Sequence, residues 1–271
     1  MESGAPPEGE GGGLGGRLRL LADRADPRRL ERDPLGLVRQ ARDREAAALV
    51  AAALAFGNAR AIRRSVAIAL RAMDGERKLL STFRHRWVDG GDLGLLLDAI
   101  ARCRDRAGGL EPLFAAGDRG DLRLGLDAFL SALRGRARRR GFLFLLPRPR
   151  EGSACKRPLL FLRWVVRPDD GTDLGLWKSV DRRRLLVPLD THVHRIAYWL
   201  GLTARRTASW EAAEEVTASL RRYDPADPVR FDFALAHLGI LRDCPRRPVE
   251  EKCARCPLRP WCRAWGAAPT T

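Results

Sequence analysis

The sequence has no apolar run long enough to cross a membrane. Its longest wholly apolar stretch, Ala46 to Phe56, has 11 residues, whereas a transmembrane helix needs about 20. The amino-terminal segment also lacks the basic stretch followed by an apolar stretch that marks a secretory signal peptide. These two absences exclude the simplest routes to a membrane or to secretion, and we expect a cytoplasmic protein, associated with the nucleoid if it is bacterial.

Lysine is rare, because it supplies only four of the 50 basic residues. Acidic residues are also too few to balance the arginines: 34 Asp and Glu face 50 Lys and Arg, which gives a formal net charge of +16. A codon bias toward arginine explains the ratio of Arg to Lys better than it explains the surplus over acids. A surplus of this size favours a polyanionic partner, with nucleic acid as the first candidate.

Strand signals and internal repeats are scarce too, whereas apolar residues recur at helical spacing from Arg17 onward. Residues 1–16 contain seven glycines and predict a disordered tail. Gly141, Pro147 and Pro149 are expected to break the helical pattern, and only Leu185–Val187 to be extended. The predicted helices cover residues 43–56, 59–73, 92–105, 110–116, 121–140, 154–166, 190–200, 209–222 and 228–240. The pattern predicts an all-α protein.

Four of the six cysteines lie close together near the end of the chain, with the spacing C-x8-C-x2-C-x5-C: Cys244, Cys253, Cys256 and Cys262. Thiols this close in a cytoplasmic protein favour a metal centre over disulfides. A structural zinc site usually pairs two separated C-x2-C motifs, whereas four compactly wrapped thiolates also suit a [4Fe–4S] cluster. The spacing leaves both metals open. Cys103 and Cys155 are separate from this group, and we expect Cys103 to be a core residue.

A second motif begins at Gly152 and continues as Ser-Ala-Cys-Lys-Arg; Asp190 follows 34 positions after Lys156, in the segment Val187–Arg195. A lysine just inside the amino terminus of a helix is disfavoured in its protonated form by the positive end of the helix dipole, which leaves an amine able to attack a carbon electrophile. Lysines in such places also bind phosphate, and Asp190 fits a simple N-cap. Taken singly, neither residue is diagnostic of catalysis.

Together these motifs resemble the helix-hairpin-helix DNA glycosylases of the endonuclease III and 8-oxoguanine glycosylase superfamily. The resemblance extends from about Asp33 to Cys262 and is specific from Gly152 onward. Gly152–Val166 is similar to the second half of the family's hairpin and the helix that carries its lysine, and Val187–Arg195 to the segment that carries its aspartate. The four cysteines are in the place of the [4Fe–4S] loop of the endonuclease III branch, so the resemblance favours iron–sulfur over zinc.

The resemblance implies a two-lobed, all-α helix-hairpin-helix fold and base-excision repair of double-stranded DNA by a glycosylase with an abasic-site lyase step. Lys156 would be the Schiff-base nucleophile at C1′ of the damaged nucleotide. Asp190 would stabilise the positive charge that develops there and help to activate the amine. We expect a terminal lobe of residues 17–40 and 189–271 that carries the cluster, a central lobe of residues 41–188, and both residues in the cleft between the lobes. A monomer is expected.

DNA contacts are expected from the hairpin and the cysteine loop, through Gly152, Arg157, Arg148, Arg150, Arg246 and Arg247. The segment Arg134–Arg150 contains seven arginines and no acidic residue, which suits a phosphate backbone, although a solvated basic face explains it too.

The chain departs from the family pattern at several points. The family's hairpin is written L-P-G-x-G-x-K, of which only Gly152 and the lysine remain. Asp190 lies much farther from Lys156 than in the family, so residues 168–184 form an expected insertion. The first cysteine gap is longer, and the glutamine-rich early motif of the family is absent. A non-catalytic DNA-binding protein with a structural metal site and a zinc-stabilised regulator that binds nucleic acid are therefore the alternatives.

Two further patterns are interpreted as structural. His192 and His194 form an H-x-H pair, but residues two apart on a helix point about 200° apart and cannot chelate one ion. We expect a local hydrogen bond from His192. The segment Phe142–Leu146 is expected either to line a base pocket or to be buried in the hairpin. The tryptophans expected in the core are Trp87, Trp164, Trp177 and Trp210.

Overall fold

The computed structural model describes residues 13–23, 33–240 and 244–266, and this part of the chain is mostly helical. The strands within it are two residues long: β1 (Arg84–His85) pairs antiparallel with β2 (Val88–Asp89). The all-α prediction is therefore confirmed. Among the described helices, none is long and apolar enough to cross a membrane.

The chain divides into two compact units. The central unit is continuous in sequence, Pro27–Leu185, and the terminal unit joins Met1–Asp26 to Leu186–Thr271. The central helices are α2 (Pro34–Gln40), α3 (Arg44–Ala53), α4 (Ala59–Met73), α5 (Gly90–Ala107), α6 (Leu110–Gly117), α7 (Leu122–Arg134), α8 (Arg140–Leu145) and α9 (Lys156–Val166). The first junction differs from the predicted one at residue 40, because α2 packs against α3 and α4 and so belongs to the central unit.

Helix α3 forms the middle of the central unit. Its residues Ala46–Ala53 are all buried, as expected for a helix that is apolar on every side. The Asp43 carboxylate caps its first turn by accepting the Ala46 N–H at 3.1 Å. Helix α9 packs directly against α3. The carboxyl end of α3 is therefore placed beside the amino end of α9, where the predicted site begins.

The predicted single helix over residues 121–140 is wrong, because two helices cover this region. Helix α7 ends at Arg134 and is followed by Gly135, whose φ of 51° favours glycine. Gly141 does not break a helix, since it lies inside α8. A β-carbon on Gly141 would lie 2.1 Å from Asp92 Oδ2, so this glycine allows a close approach to the Asp92 carboxylate.

Residues 168–184, the expected insertion, pack into the central unit. Asp173 is fully buried and pairs with the buried Arg163 and Arg167. Trp177 is 2% exposed, and its indole N–H donates to Glu45 Oε1 at 2.7 Å. Its ring packs against three other aromatic rings of the core, those of Phe114, Phe129 and Phe161. The segment therefore supplies part of the core of this unit.

The terminal unit is built from both ends of the chain. Its helices are α1 (Leu14–Asp23), α10 (Thr191–Trp199), α11 (Trp210–Arg221), α12 (Asp232–Ile240) and α13 (Glu250–Cys253). Helix α1 packs against the 3-10 turn Pro228–Phe231 and against α12. Of the predicted tail, residues 1–12 lie outside the described residues, whereas residues 14–16 belong to α1. Leu185–Val187 forms no strand, and the Val187 N–H donates to Thr217 Oγ1 at 3.0 Å.

Candidate functional site

Lys156 is the first residue of α9, as the sequence predicts. The chain enters this helix through Cys155, which has a left-handed φ of 48°. The backbone N–H of Cys155 donates to Ser153 Oγ at 3.1 Å, and its thiol lies 3.4 Å from the carbonyl oxygen of Pro147. Burial raises the pKa of the Cys155 thiol to about 12, so this cysteine stays protonated and anchors the turn.

The side chains of Lys156 and Arg157 both reach the carboxyl end of α3. Lys156 Nζ donates to the Ala55 carbonyl oxygen at 3.0 Å, and Arg157 Nη1 donates to the Ala53 carbonyl at the same distance. This end of a helix carries partial negative charge, which attracts cations. Arg157 is buried and also donates to the Phe144 carbonyl oxygen, and burial lowers its pKa to about 10. The Arg157 guanidinium is therefore held by backbone carbonyl oxygens inside the central unit.

Aromatic side chains surround this point. The Arg157 guanidinium carbon lies 4.1 Å from the ring centroid of Phe144 and 5.2 Å from that of Phe56. Phe144 belongs to the Phe142–Leu146 segment and contacts both Phe56 and Trp87. Trp87 is 57% exposed, so its expected place in the core is wrong. The other tryptophans expected in the core are buried: Trp164, Trp177 and Trp210.

His85 anchors the turn that carries Trp87. It is 2% exposed, and its ring nitrogens bond to Ser65 Oγ and to the Phe56 carbonyl oxygen, each at 2.9 Å. Burial lowers the pKa of His85, and this favours a neutral ring that donates one N–H to Phe56. The pattern of the sequence alone gave no sign of the short hairpin or of these contacts.

Asp190 is the N-cap of α10, in the terminal unit. Its Oδ1 accepts the backbone N–H groups of His192 and Val193, each at 2.8 Å. In the described part of the chain, Oδ2 accepts no hydrogen bond. His194 Nε2 bonds to the Arg205 carbonyl oxygen at 3.0 Å. The expected hydrogen bond of His192 is missing for its Nδ1, which is buried and has no partner among the described residues.

The residues expected to bind DNA differ in their exposure and in their ion pairs. Arg148 pairs with Asp127 at 2.5 Å and is largely buried. Arg150 is 65% exposed, with its Nε 3.4 Å from the same carboxylate. Gly152, with a φ of 74°, ends the 3-10 turn that follows. Arg246 and Arg247 are exposed in the terminal unit.

The segment Arg134–Arg150 is less basic at its surface than its sequence indicates. Arg134 is buried and pairs with Glu151 at 2.5 Å. Arg139 pairs with Asp89 and Asp92, at 2.5 and 2.6 Å. Carboxylates that are distant in sequence thus neutralise part of the run. Three arginines of the segment remain exposed without a carboxylate partner in the part of the chain that the structure describes, namely Arg136, Arg138 and Arg140.

The four cysteines of the carboxyl-terminal loop lie near one another. Burial raises the pKa of the Cys244 thiol to about 11, and the neighbouring Cys256 and Cys262 add to the rise, whereas Arg195 opposes it. Burial also raises the pKa of Cys262, with further contributions from Cys256 and Cys253. The Cys256 N–H donates to the Cys253 carbonyl at 3.1 Å, which closes the C-x2-C turn.

Hydrogen-bond donors accompany these thiols. Arg195 donates to the Cys244 carbonyl oxygen at 2.9 Å, and the Arg195 side chain and the Ala264 backbone act to lower the pKa of the Cys244 and Cys262 thiols, respectively. A set of four thiols with such donors suits a thiolate-bound metal. In the described residues, however, no three His, Cys, Asp or Glu side chains are already placed to hold a metal ion. The donor set fits a cluster in its chemistry, and the loop would have to close around it.

A sequence model of one protein family, described as a protein of unknown function (DUF2400), matches residues 33–241. The match covers more than three quarters of the chain and includes Lys156 and Asp190. It ends before Cys244, so the cysteine loop lies outside it. No curated protein and no solved structure matches the chain.

Proposed function

The chain belongs to the DUF2400 family of proteins of unknown function, and from the site itself we propose that it is a DNA glycosylase with an abasic-site lyase activity. The observation that carries this proposal is the placement of Lys156. Its amine lies at the first turn of α9, half-buried, 3.0 Å from the Ala55 carbonyl oxygen and next to an aromatic cluster. The end of α3 attracts the protonated amine, so the amine must first lose a proton before it can act as a nucleophile toward a carbon electrophile.

In the proposed reaction, the Lys156 nitrogen forms a bond to C1′ of the damaged nucleotide while the bond from C1′ to the base breaks. One amine proton passes by way of Asp190 to the departing base, and the second passes to O4′ as the sugar ring opens, which gives an imine. Removal of a proton from C2′ then expels the 3′ phosphate and nicks the strand. The target base would be turned out of the duplex, since these atoms are inaccessible in stacked DNA.

Asp190 is proposed as the carboxylate that accepts the amine proton and faces the positive charge at C1′. Its Oδ1 is fixed by two backbone N–H groups, so Oδ2 is the oxygen that would act. A carboxylate already oriented by the fold stabilises a developing cation without reorganisation during the reaction. Lys156 belongs to the central unit and Asp190 to the terminal unit.

A [4Fe–4S] cluster is proposed on the four thiols of the carboxyl-terminal loop, which are those of Cys244, Cys253, Cys256 and Cys262. The bound cluster would supply a rigid cross-link for a loop that has only short helical turns of its own. Zinc is the alternative metal. No step of the proposed reaction uses the metal.

A non-catalytic DNA-binding protein is the second candidate, and a specific observation favours it. Both proposed catalytic residues have structural roles: Asp190 caps α10, and Lys156 bonds to the end of α3. In that protein Lys156 would contact phosphate instead of C1′.

Covalent trapping tests the proposal. Borohydride reduces the imine to a stable adduct, so wild type should become attached to duplexes that contain an abasic site or one lesion from a panel of oxidised purines, oxidised pyrimidines, uracil and alkylated bases. Lys156→Gln keeps the length and polarity of the side chain but removes the amine, so adduct and strand nicking should both vanish while binding remains.

Lys178→Gln is the matched control, because Lys178 is an exposed lysine of the same unit whose amine bonds to the Gly175 carbonyl oxygen. It should be trapped like wild type. Cleavage by Lys156→Gln at the wild-type rate would contradict the assignment of the nucleophile. Failure of wild type to be trapped on any duplex would favour the non-catalytic candidate.

A further inference from the structure

Trp87 presents a large aromatic surface on an otherwise well-packed unit. Its side chain is 57% exposed, although burial of a tryptophan side chain is favourable by several kcal/mol and most tryptophans are largely buried. The hairpin that carries it is firmly held, since His85 on one strand and Val88 on the other are both buried. Exposure of Trp87 is therefore a property of a fixed structure.

The orientation of the indole is fixed by its neighbours. The Phe144 ring lies 5.0 Å away at 66°, and the Phe56 ring lies 5.5 Å away at 35°. Arg86, which has an unusual left-handed φ of 56°, places its guanidinium carbon 5.1 Å from the indole centroid. A flat ring that is backed by two others and flanked by a cation can stack on another flat ring without first being ordered.

Arginines outnumber acidic residues in the segments next to Trp87, where the nearby Asp89 is already paired with Arg84 and Arg139. No acidic residue occurs between Glu45 and Asp74, although this stretch forms α4, which packs against β1. The Arg86 side chain lies against Gly57, just before α4: a β-carbon on that glycine would be 3.5 Å from Arg86 Cδ. The exposed arginines of α4 and of the hairpin turn that have no carboxylate partner in the described part of the chain are Arg60, Arg64 and Arg86.

The ligand that fits this combination is an unpaired nucleotide. A purely apolar protein partner would leave the Arg86 guanidinium beside Trp87 without a counter-charge. Nucleic acid offers a planar base for the indole and phosphates for the guanidinium groups, and this pairing is typical of single-strand binding sites. The cluster also adjoins Lys156, because Phe56 follows the residue whose carbonyl oxygen accepts the Lys156 amine.

We infer that Trp87 stacks on an unpaired nucleobase, so that the protein prefers DNA in which a base is unpaired, whether or not the base is damaged. The inference rests on the proposed function for the choice of DNA as ligand and not for any chemical step.

Equilibrium binding tests this inference. The probes are a duplex with a one-nucleotide bulge that carries 2-aminopurine and the same duplex fully paired, measured by fluorescence anisotropy with the full chain. Stacking of one base on an aromatic ring changes Kd by about 5- to 150-fold. Trp87→Ala should lose about that factor on the bulged probe and little on the paired one, and Trp87→Phe should lose less.

Leu124→Ala is the matched control, because Leu124 is an equally exposed apolar side chain (62%) of the central unit. It should bind both probes like wild type. Quenching of tryptophan fluorescence by the bulged probe should decrease in Trp87→Phe, which separates Trp87 from the other tryptophans. Circular dichroism of each variant checks that the fold is retained.

Three results would overturn the inference: equal binding of the bulged probe by wild type and Trp87→Ala, an equal loss on both probes, or a dimer of the chain that Trp87→Ala dissociates. Its failure is distinct from failure of the proposed function. If wild type is trapped by borohydride but Trp87→Ala does not change binding of the bulged probe, only the inference about Trp87 is wrong. If the preference for the bulged probe depends on Trp87 but no duplex is trapped, only the proposed glycosylase activity is wrong.

Discussion

At the residue scale, the two proposed catalytic side chains are already used by the fold, and this decides how they can be tested. Lys156 bonds to a helix end and Asp190 caps a helix. A substitution must therefore remove the chemistry and keep the structural contact. Gln at 156 and Asn at 190 both meet this requirement, since each keeps a polar group of similar size.

Asp190→Asn should bind DNA normally and react slowly. Asparagine is as good an N-cap as aspartate, so α10 should remain stable. Loss of the charge that faces the developing cation typically costs about 10²–10³ in rate. Single-turnover strand nicking measures this loss, with Asp121→Asn as the control: Asp121 caps α7 in the same manner and has no proposed role. A wild-type rate for Asp190→Asn would remove Asp190 from the mechanism.

The side chains around Lys156 could be predicted only in part. The spacing of polar and apolar residues placed Lys156 at a helix start and Asp190 at a cap, because both signals are local in sequence. Trp87 was expected in the core, since a tryptophan in a mixed sequence is usually buried. Its exposure depends on Phe56, His85 and Phe144, whose contacts join residues far apart in the chain. Sequence spacing carries no information about such contacts.

At the element scale, the capping residues predict where most helices lie, whereas the errors in the predicted helix boundaries come from the interpretation of glycine residues. Gly135 and Gly141 look alike in sequence, but one ends α7 and the other lies inside α8. The difference is the Asp92 carboxylate, which leaves no room for a side chain at Gly141. Glycine marks either a backbone turn or a close approach, and only the tertiary structure distinguishes the two.

The segment of residues 168–184 should be essential for the stability of the central unit. Asp173→Ala would leave the buried guanidinium groups of Arg163 and Arg167 without their shared carboxylate, which typically costs about 3–5 kcal/mol of unfolding free energy. Urea denaturation followed by circular dichroism measures this loss. The control is Asp181→Ala, which removes an exposed pair with Arg183 and should change stability by less than about 1 kcal/mol. Equal effects of the two substitutions would contradict the structural role of Asp173.

The cysteine loop should bind iron. Protein purified without oxygen from iron-replete cells should be brown, with broad absorbance at about 400 nm and about four irons per chain. Cys256→Ser should lose the colour and destabilise the terminal unit, whereas Cys103→Ser, a change at a buried residue of the central unit, should keep it. One zinc and no iron per chain would exclude the cluster and favour the zinc alternative.

At the scale of the whole molecule, the positive charge should control binding to DNA. If about five phosphates are neutralised, log Kd should change with log salt with a slope of about 4 to 5. Changing the exposed Arg246 and Arg247 together to Ala should reduce that slope by about 1 to 2. Anisotropy titrations between low and moderate salt measure it.

The matched control for the salt series changes Arg71 and Arg183 together to Ala. Both are exposed, and each is paired with a nearby carboxylate, so this pair of changes should leave the slope unchanged. A salt response that is flat for wild type would mean that the net charge of +16 reflects codon usage instead of a polyanionic partner.

The arrangement of the units also sets an order of events during synthesis. The central unit is complete in sequence once residue 185 has been made, so its core can form while the ribosome is still translating. Helix α1 emerges before the central unit, yet Arg19 bonds to the Tyr223 carbonyl and α1 packs against Pro228–Phe231. At ordinary translation rates, α1 waits about 10–40 s for those residues. During that interval the apolar side chains of Leu14 and Leu18, buried in the finished protein, are exposed to chaperones.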